Sequence, residues 1–279
     1  LLDRMEVIEL NSYTLFEKKD IAKKYLLPRI YEEHVIGENN LKFTDELIYF
    51  IINSYTAEAG VRDLERVLTS LIRKLVINNI KTINKDKVIR LLGTPKYNEK
   101  DYEFGCIPGV ANTLAITNAG GIVTKLEVAK FRGDGKVLIT GSVGKVMEES
   151  VNVAMTYLKS EYNHTFNNCD VHLHFLDAST KKDGPSAGMS IAAALLSILE
   201  KQAIPNDIAF TGELSLNGTI LKIGGLKEKL IGAYNRGIKK VFIPIGNEED
   251  LKEVPSVIIE EIEITPVVNF KEIYTTLFK

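Results

Sequence analysis

The spacing of apolar residues divides the chain into a helical first third and a longer part in which strands alternate with helices. In the first third, apolar residues recur at the spacing of amphipathic helices. This pattern predicts helices over 41–55, 61–80 and 86–92. It predicts no strand before residue 90, apart from a short candidate at Met5–Leu10.

The pattern changes after a segment that mixes glycine, proline and charge, which we interpret as a linker over 94–108. Short apolar runs then alternate with helical stretches, and Asn217-Gly218 between two such runs predicts a hairpin. We therefore predict an α+β fold, with a small all-helical bundle domain over 1–93 and a mixed-sheet α/β domain over 109–279. The predicted strands cover 114–117, 122–130, 136–140, 170–175, 208–216, 219–223 and 239–244, and the predicted helices cover 146–157, 186–202 and 226–235.

Composition and charge exclude several classes of protein. The 279 residues include 35 Lys and Arg against 37 Asp and Glu, so the formal net charge of −2 argues against a general nucleic-acid binder. No apolar run approaches the roughly 18 residues that span a bilayer, so we expect no membrane partner. The two cysteines exclude a disulfide scaffold and fit a reducing compartment. Because the chain opens at Leu1 without Met, we interpret it as a fragment or a processed product.

The most informative segment is 182–188, which reads Lys-Asp-Gly-Pro-Ser-Ala-Gly and precedes an apolar helix. Asp183 is predicted to cap that helix, and Pro185 suits its first turn. Ser186 would then lie where N–H groups without helical partners favour negative charge. Such a position could stabilise an alkoxide or an oxyanion, so Ser186 is a candidate nucleophile.

The base that would serve Ser186 is predicted not to be histidine. The segment also fits the G-x-S-x-G elbow of α/β-hydrolases, in which the histidine follows the serine. All the histidines here precede Ser186 in the chain: His34, His164, His172 and His174. A lysine that is neutral because it is desolvated is the alternative base.

The predicted helix over 226–235 offers two lysines, Lys227 and Lys229. Its buried face is marked by Leu226, Leu230 and Ala233. On a helical wheel with roughly 100° per residue, Lys229 lies nearer the centre of that face than Lys227 does. The wheel thus favours Lys229 and leaves Lys227 as the alternative.

The segment around Ser186 and the helix that carries Lys229 resemble the proteolytic domain of the Lon family of ATP-dependent proteases. Together with further matching segments, the resemblance covers essentially the whole chain. The resemblance implies a catalytic Ser–Lys dyad, with Ser186 as the serine and Lys229 as the lysine. Ile116 departs from the pattern, because many relatives carry Trp there, and it could alter the pocket wall. The matching segments are 108–110, 120–121, 140–144, 147–150, 184–188, 211–213, 224–229 and 241–244.

The resemblance also implies supporting residues near the dyad. Thr211 would hold the lysine amine, Asp183 matches the family acid before the serine, and Glu127 and His174 match an acidic residue and a histidine near the site. His172 and His174 alternate on one strand face, which is also the spacing of two metal ligands. Because no third ligand is evident, we expect no metal there and interpret the pair as ordinary packing.

The first domain resembles the small helical part of a Lon ATPase module that follows the end of its nucleotide-binding part. The resemblance implies that Arg4 is an arginine finger and that Arg62, in a sensor-2 element, lies near the phosphates. Gly141–Lys145 fails the phosphate-binding-loop pattern because no Ser or Thr follows. The resemblance implies ATP and Mg²⁺ for the full-length enzyme, and no cofactor is expected at this fragment's proteolytic site.

The resulting hypothesis is an ATP-dependent serine endopeptidase that uses a Ser–Lys dyad. The resemblance implies unfolded or damaged polypeptides as substrates, a homo-oligomer of six subunits, and the bacterial cytoplasm or the mitochondrial matrix as location. The competing hypotheses are a small-molecule amidase with the same chemistry and a non-catalytic assembly or binding module.

Overall fold

The computed structural model of the chain describes residues 12–34, 41–97, 106–117, 120–162, 166, 168–176 and 182–279. The chain divides into two compact units. The first holds the described residues up to 97 together with Gly120, and the second holds the others. Arg4 and the strand candidate Met5–Leu10 lie outside the described residues, and the predicted boundaries at 93 and 109 stay a prediction.

The first unit is helical over the part that the structure describes, and its predicted helices are confirmed with shifted ends. The helix predicted from residue 41 begins at Asp45, because the Thr44 hydroxyl accepts a hydrogen bond from Leu47 N and starts the helix there. A further helical segment runs through 15–33, with a π-helical turn at Ala22–Leu26. The helices are α1 (Leu15–Ile21), α2 (Leu27–Glu33), α3 (Asp45–Tyr55), α4 (Arg62–Ile77) and α5 (Lys85–Leu92).

The second unit is built on a seven-stranded mixed sheet, which confirms the predicted α+β class. Its strands are β1 (Val110–Thr117), β2 (Gly120–Arg132), β3 (Val137–Thr140), β4 (Cys169–Phe175), β5 (Ile208–Phe210), β8 (Lys240–Pro244) and β9 (Glu263–Val267). They lie in the order β3-β4-β2-β1-β5-β8-β9. The pairs β3–β4, β1–β5, β5–β8 and β8–β9 are parallel, whereas β2–β4 is antiparallel.

Helices cover both faces of this sheet. The apolar cluster on one face includes residues of α6 (Lys145–Glu161), α7 (Gly188–Glu200) and α10 (Phe270–Leu277). The cluster on the other face includes residues of α8 (Leu226–Asn235) and α9 (Ser256–Glu261). Ser186, just before α7, and Lys229, in α8, therefore approach one another from opposite faces of the sheet.

The hairpin predicted at Asn217-Gly218 is confirmed, although its first strand is shorter than predicted. Residues 208–216 form two strands, β5 in the main sheet and β6 (Glu213–Leu214), which pairs antiparallel with β7 (Ile220–Leu221). The chain leaves the main sheet at Gly212, where an added Cβ would lie 2.5 Å from Met189 Cε. Within the described ranges, no helix combines the length and the apolar character needed to cross a membrane.

Candidate functional site

A cavity of about 360 Å³ lies in the second unit, at the carboxyl ends of β1 and β4. Ser186 and Lys229 both line it, and so does Asp183. Its wall also includes the apolar side chains of Met147 and Phe175. Loops at the carboxyl ends of parallel strands commonly form ligand sites, and this cavity occupies such a place.

Ser186 lies in a short 3-10 turn, Pro185–Ala187, that leads directly into α7. The preceding Gly184 has φ +129°, a conformation that favours glycine, so the chain can turn sharply before the serine. The carbonyl of Ser186 accepts a hydrogen bond from Gly212 N at 2.8 Å, and the carbonyl of Gly212 accepts one from Met189 N at 3.0 Å. These paired bonds attach the serine turn to the segment that follows β5.

Asp183 caps a different helix from the one predicted. Its Oδ1 accepts hydrogen bonds from Met147 N, in the first turn of α6, at 3.3 Å and from Gly184 N at 3.1 Å. The prediction that it caps the helix of Ser186 is wrong, because the carboxylate lies against Gly144 at the start of α6. An added Cβ on Gly144 would come within 2.2 Å of Asp183 Oδ2. Asp183 therefore joins the serine turn to the N-terminus of α6.

Lys229 is buried in the cavity wall, with 4% of its surface exposed. Its Nζ donates a hydrogen bond to Thr211 Oγ1 over 3.1 Å, and Thr211 is itself fully buried. Burial lowers the pKa of Lys229 to about 8. The other lysine of the helix, Lys227, is half-buried and does not line the cavity.

Two glycines allow α8, which carries Lys229, to pack directly on the start of β2. An added Cβ on Gly121 would lie 1.7 Å from the carbonyl oxygen of Glu228. An added Cβ on Gly232 would lie 2.4 Å from the carbonyl carbon of Gly121. Because backbone meets backbone at this point, the position of Lys229 depends on both glycines lacking a side chain.

No hydrogen bond joins the Ser186 hydroxyl to Lys229 Nζ in the described part of the chain. The amine is instead engaged by Thr211. Hydrogen bonds between catalytic groups are often long or absent before substrate binds. The structure thus brings Ser186, Lys229, Thr211 and Asp183 into one region. The Lys229 amine and the Ser186 hydroxyl still have to form a hydrogen bond with one another before a proton can be transferred.

The other two predicted supporting residues lie outside the cavity wall. Glu127 and His174 face one another across the antiparallel pair β2–β4. His174 Nδ1 lies 2.7 Å from Thr140 Oγ1, and His172 Nε2 lies 2.9 Å from the same oxygen. The structure therefore places Glu127 and His174 in a polar cluster on the sheet face. Among the described residues, no group of three or more His, Cys, Asp or Glu side chains could hold a metal ion.

The two arginines predicted to act on a nucleotide belong to the first part of the chain. Arg62 is exposed and is the first residue of α4. Arg4 lies outside the described residues. Arg62 belongs to the first unit.

The cavity also contains residues that sequence reasoning did not identify. Met147 and Phe175 fall in segments predicted from their apolar pattern, and nothing in that pattern distinguishes a cavity wall from a core. Thr113 is buried in β1 and lines the cavity, and no sequence motif marks it. Ile116 is 47% exposed and also lines the cavity, and its Cδ1 would lie 2.0 Å from a Cβ added to Gly225. The expectation that Ile116 shapes the pocket wall therefore agrees with its position.

Comparison with known proteins gives matches to two family models. The model described as Lon protease (S16) C-terminal proteolytic domain matches residues 82–279. The model described as Lon protease AAA+ ATPase lid domain matches residues 32–88.

Several curated proteins named Lon protease are also similar to the chain. The protein of Mycoplasma mycoides is 39% identical over 291 residues, which cover 100% of this chain and 37% of that protein. The protein of Buchnera aphidicola is 42% identical over 286 residues, covering 98% of this chain and 37% of that protein. The protein of Clostridioides difficile is 40% identical over 286 residues, covering 98% and 36%. The chain thus spans somewhat more than a third of the length of these relatives.

Proposed function

Because the chain belongs to the Lon protease family, we propose that it hydrolyses peptide bonds with Ser186 as the nucleophile and Lys229 as the general base. The observation that carries the proposal is that both residues line one cavity in which burial lowers the pKa of Lys229 to about 8. A lysine with this pKa is partly neutral near pH 7, and only a neutral amine can accept the proton of a hydroxyl.

In the first half of the reaction, the Lys229 amine keeps its hydrogen bond to Thr211 and accepts the proton of Ser186 Oγ, which attacks the scissile carbonyl carbon. The protonated Lys229 then donates that proton to the leaving amine as the peptide C–N bond breaks, which leaves an ester on Ser186. In the second half, water attacks the ester carbon while Lys229 accepts a proton from it. The bond between that carbon and Ser186 Oγ then breaks, Lys229 returns the proton to Ser186 Oγ, and the carboxylic acid product leaves.

The negative oxygen that forms during each attack needs hydrogen-bond donors. We assign this role to the backbone N–H groups of Ser186 and Ala187, in the turn at the N-terminal end of α7. The first N–H groups of a helix have no intrahelical partners, and the helix dipole favours a negative charge there. Because these donors are held in a fixed turn, they do not have to reorganise during the reaction.

The activity of a longer natural protein is a further part of the proposal. The chain includes a region that matches a Lon ATPase lid domain, and Arg62 in that region is exposed, as a residue that contacts a phosphate must be. We propose that ATP with Mg²⁺ supplies the energy that unfolds polypeptide substrates, that Arg4 and Arg62 face the nucleotide, and that the subunits assemble as a hexamer. The bacterial cytoplasm or the mitochondrial matrix is the proposed location.

The test is cleavage of casein as an unfolded protein substrate. It uses this chain and the natural full-length protein supplied with ATP, each as wild type and as three variants. Ser186→Ala and Lys229→Ala should each abolish cleavage. Lys227→Ala is the matched control, since it removes a lysine from the same helix outside the cavity, and it should cleave at the wild-type rate.

The outcomes separate the dyad from its alternatives. Cleavage by the full-length protein alone would mean that the dyad needs the ATPase, and it would agree with the proposal if the Ser186 and Lys229 variants are inactive. Full activity of Lys229→Ala would overturn the assignment of the base. Absence of Ser186-dependent cleavage in either form would favour a binding module.

A further inference from the structure

The hydroxyl of Thr113 is buried and has no hydrogen-bond partner among the residues that the structure describes. Thr113 lines the cavity that contains Ser186 and Lys229, and 3% of its surface is exposed. A buried hydroxyl without a partner is unfavourable, because it loses its hydrogen bonds to water and gains none in exchange. Such groups are rare in folded proteins, and a role in ligand binding is one reason to retain them.

Other buried polar side chains around this site do have partners. The amide of Asn112, the preceding residue, donates to the carbonyls of Asn206 at 2.9 Å and Ile208 at 2.8 Å. The hydroxyl of Thr124, on the neighbouring strand, donates to Leu176 O at 3.4 Å. Both of these groups are thus satisfied from within the protein, and the Thr113 hydroxyl differs from them.

Thr113 lies at the inner end of the strand segment that lines the cavity. Along β1, Ile116 is 47% exposed, whereas Leu114 and Thr113 are 1% and 3% exposed. Side chains alternate between the two faces of a strand, so Thr113 shares a face with Ala111. Ala111 belongs to the apolar cluster that also includes Met147 and Phe175, and both of these line the cavity. The unpartnered hydroxyl is thus set among apolar groups.

From this arrangement we propose that Thr113 determines substrate specificity, an inference that rests on the proposed peptidase function. The cavity takes a substrate side chain that has an apolar body and a hydrogen-bonding tip. The body packs against Met147 and Phe175, and the tip pairs with the Thr113 hydroxyl. Because a hydroxyl both donates and accepts, tyrosine and threonine side chains meet this requirement, whereas phenylalanine and valine have the same shapes and leave Thr113 unpaired.

The test measures peptide binding to the natural full-length protein, with ATP and Mg²⁺, in a Ser186→Ala background that keeps peptides intact. The peptides form matched pairs, Tyr against Phe and Thr against Val, placed in turn at each position flanking a mapped cleavage site. At one position, the hydrogen-bonding member of a pair should bind about tenfold more tightly than its apolar partner. Adding Thr113→Val, which keeps the shape and removes the hydroxyl, should abolish that ratio, and Thr113→Ser should keep it.

A second measurement needs no substrate. If the hydroxyl has no partner in the resting protein, Thr113→Val should melt at a temperature equal to or above that of wild type, because an unfavourable burial is removed. A lower melting temperature would mean that the hydroxyl is already paired, and it would overturn the inference. Equal affinities within every peptide pair would overturn it as well.

Failure of the specificity proposal can be told apart from failure of the proposed function. Binding ratios in the Ser186→Ala background do not depend on catalysis, whereas the casein assay depends on Ser186 and not on these ratios. Casein cleavage lost in Ser186→Ala, together with ratios that Thr113→Val leaves unchanged, would retain the peptidase and reject the role of Thr113.

Discussion

Lys229 Nζ donates to the hydroxyl of Thr211 over 3.1 Å, and both side chains are almost completely removed from solvent. A hydroxyl oxygen is a weaker partner for an ammonium group than a carboxylate, so this contact offsets little of the cost of burying the charge. Burial therefore remains the dominant influence on the pKa of Lys229 and lowers it to about 8. The pair keeps the amine in place without fixing it in its charged form.

The rate of peptide cleavage should rise with pH as Lys229 loses its proton. With a pKa of about 8, the neutral fraction grows roughly tenfold between pH 7 and pH 9. We expect kcat/KM for a short peptide, measured in the natural full-length protein with ATP, to rise by about that factor over the same interval. Lys227→Ala should leave the profile unchanged, and a profile that is flat from pH 7 to 9 would contradict the assigned base.

The same lowered pKa predicts a dependence of stability on pH. The folded-state pKa of Lys229 lies below the ordinary value of 10.5, so the unfolded chain binds more protons between about pH 8 and pH 10.5. The contribution of Lys229 to the free energy of unfolding should therefore increase as pH rises through that window. Urea unfolding at pH 8 and pH 10 should show an increase in wild type that is larger than in Lys229→Met. Identical increases in the two proteins would argue against the shift.

Replacing Thr211 with valine should reduce turnover while the fold is kept. The substitution preserves shape and removes the oxygen that accepts the hydrogen bond from Lys229. Hydrogen bonds to a charged group typically contribute about 1.5–3 kcal/mol, so we expect kcat to fall by about tenfold or more. Thr211→Ser retains the hydroxyl and should recover most of the rate. If valine and serine variants are equally active, Thr211 does not position the amine.

The glycine contact beneath α8 predicts a large effect from a single methyl group. Gly121→Ala would place a Cβ 1.7 Å from the carbonyl oxygen of Glu228, so α8 would have to move. We expect a loss of about 3 kcal/mol or more in the free energy of unfolding. Gly224→Ala is the control for stability, because no atom lies within 4 Å of the Cβ it would add. Similar melting temperatures for both variants would show that α8 can move away from the added methyl group without a loss of stability.

The elements that bury a periodic apolar face could be predicted from sequence, and so could the helical face of Lys229. What could not be predicted depends on neighbours distant in the chain. Asp183 stands directly before Gly184-Pro185-Ser186, which indicated a local cap, yet its carboxylate binds the start of α6 because Gly144 lies beside it. Likewise, Thr113 reads as an ordinary strand residue, and its lack of a partner depends on how β1 packs.

The contact of Asp183 with α6 leads to the last prediction, which separates a structural role from an acid–base role. Its Oδ1 accepts hydrogen bonds from the backbone N–H groups of Met147 and Gly184, and an asparagine side-chain oxygen can accept both. Asp183→Asn should therefore retain most of the peptidase activity, whereas Asp183→Ala should lose about 1 kcal/mol of stability, as is typical when a helix cap is removed. Thermal unfolding and casein cleavage of the two variants distinguish the structural role from the acid–base role. An Asp183→Asn protein that is fully stable and inactive would mean that the carboxylate charge itself takes part in the reaction.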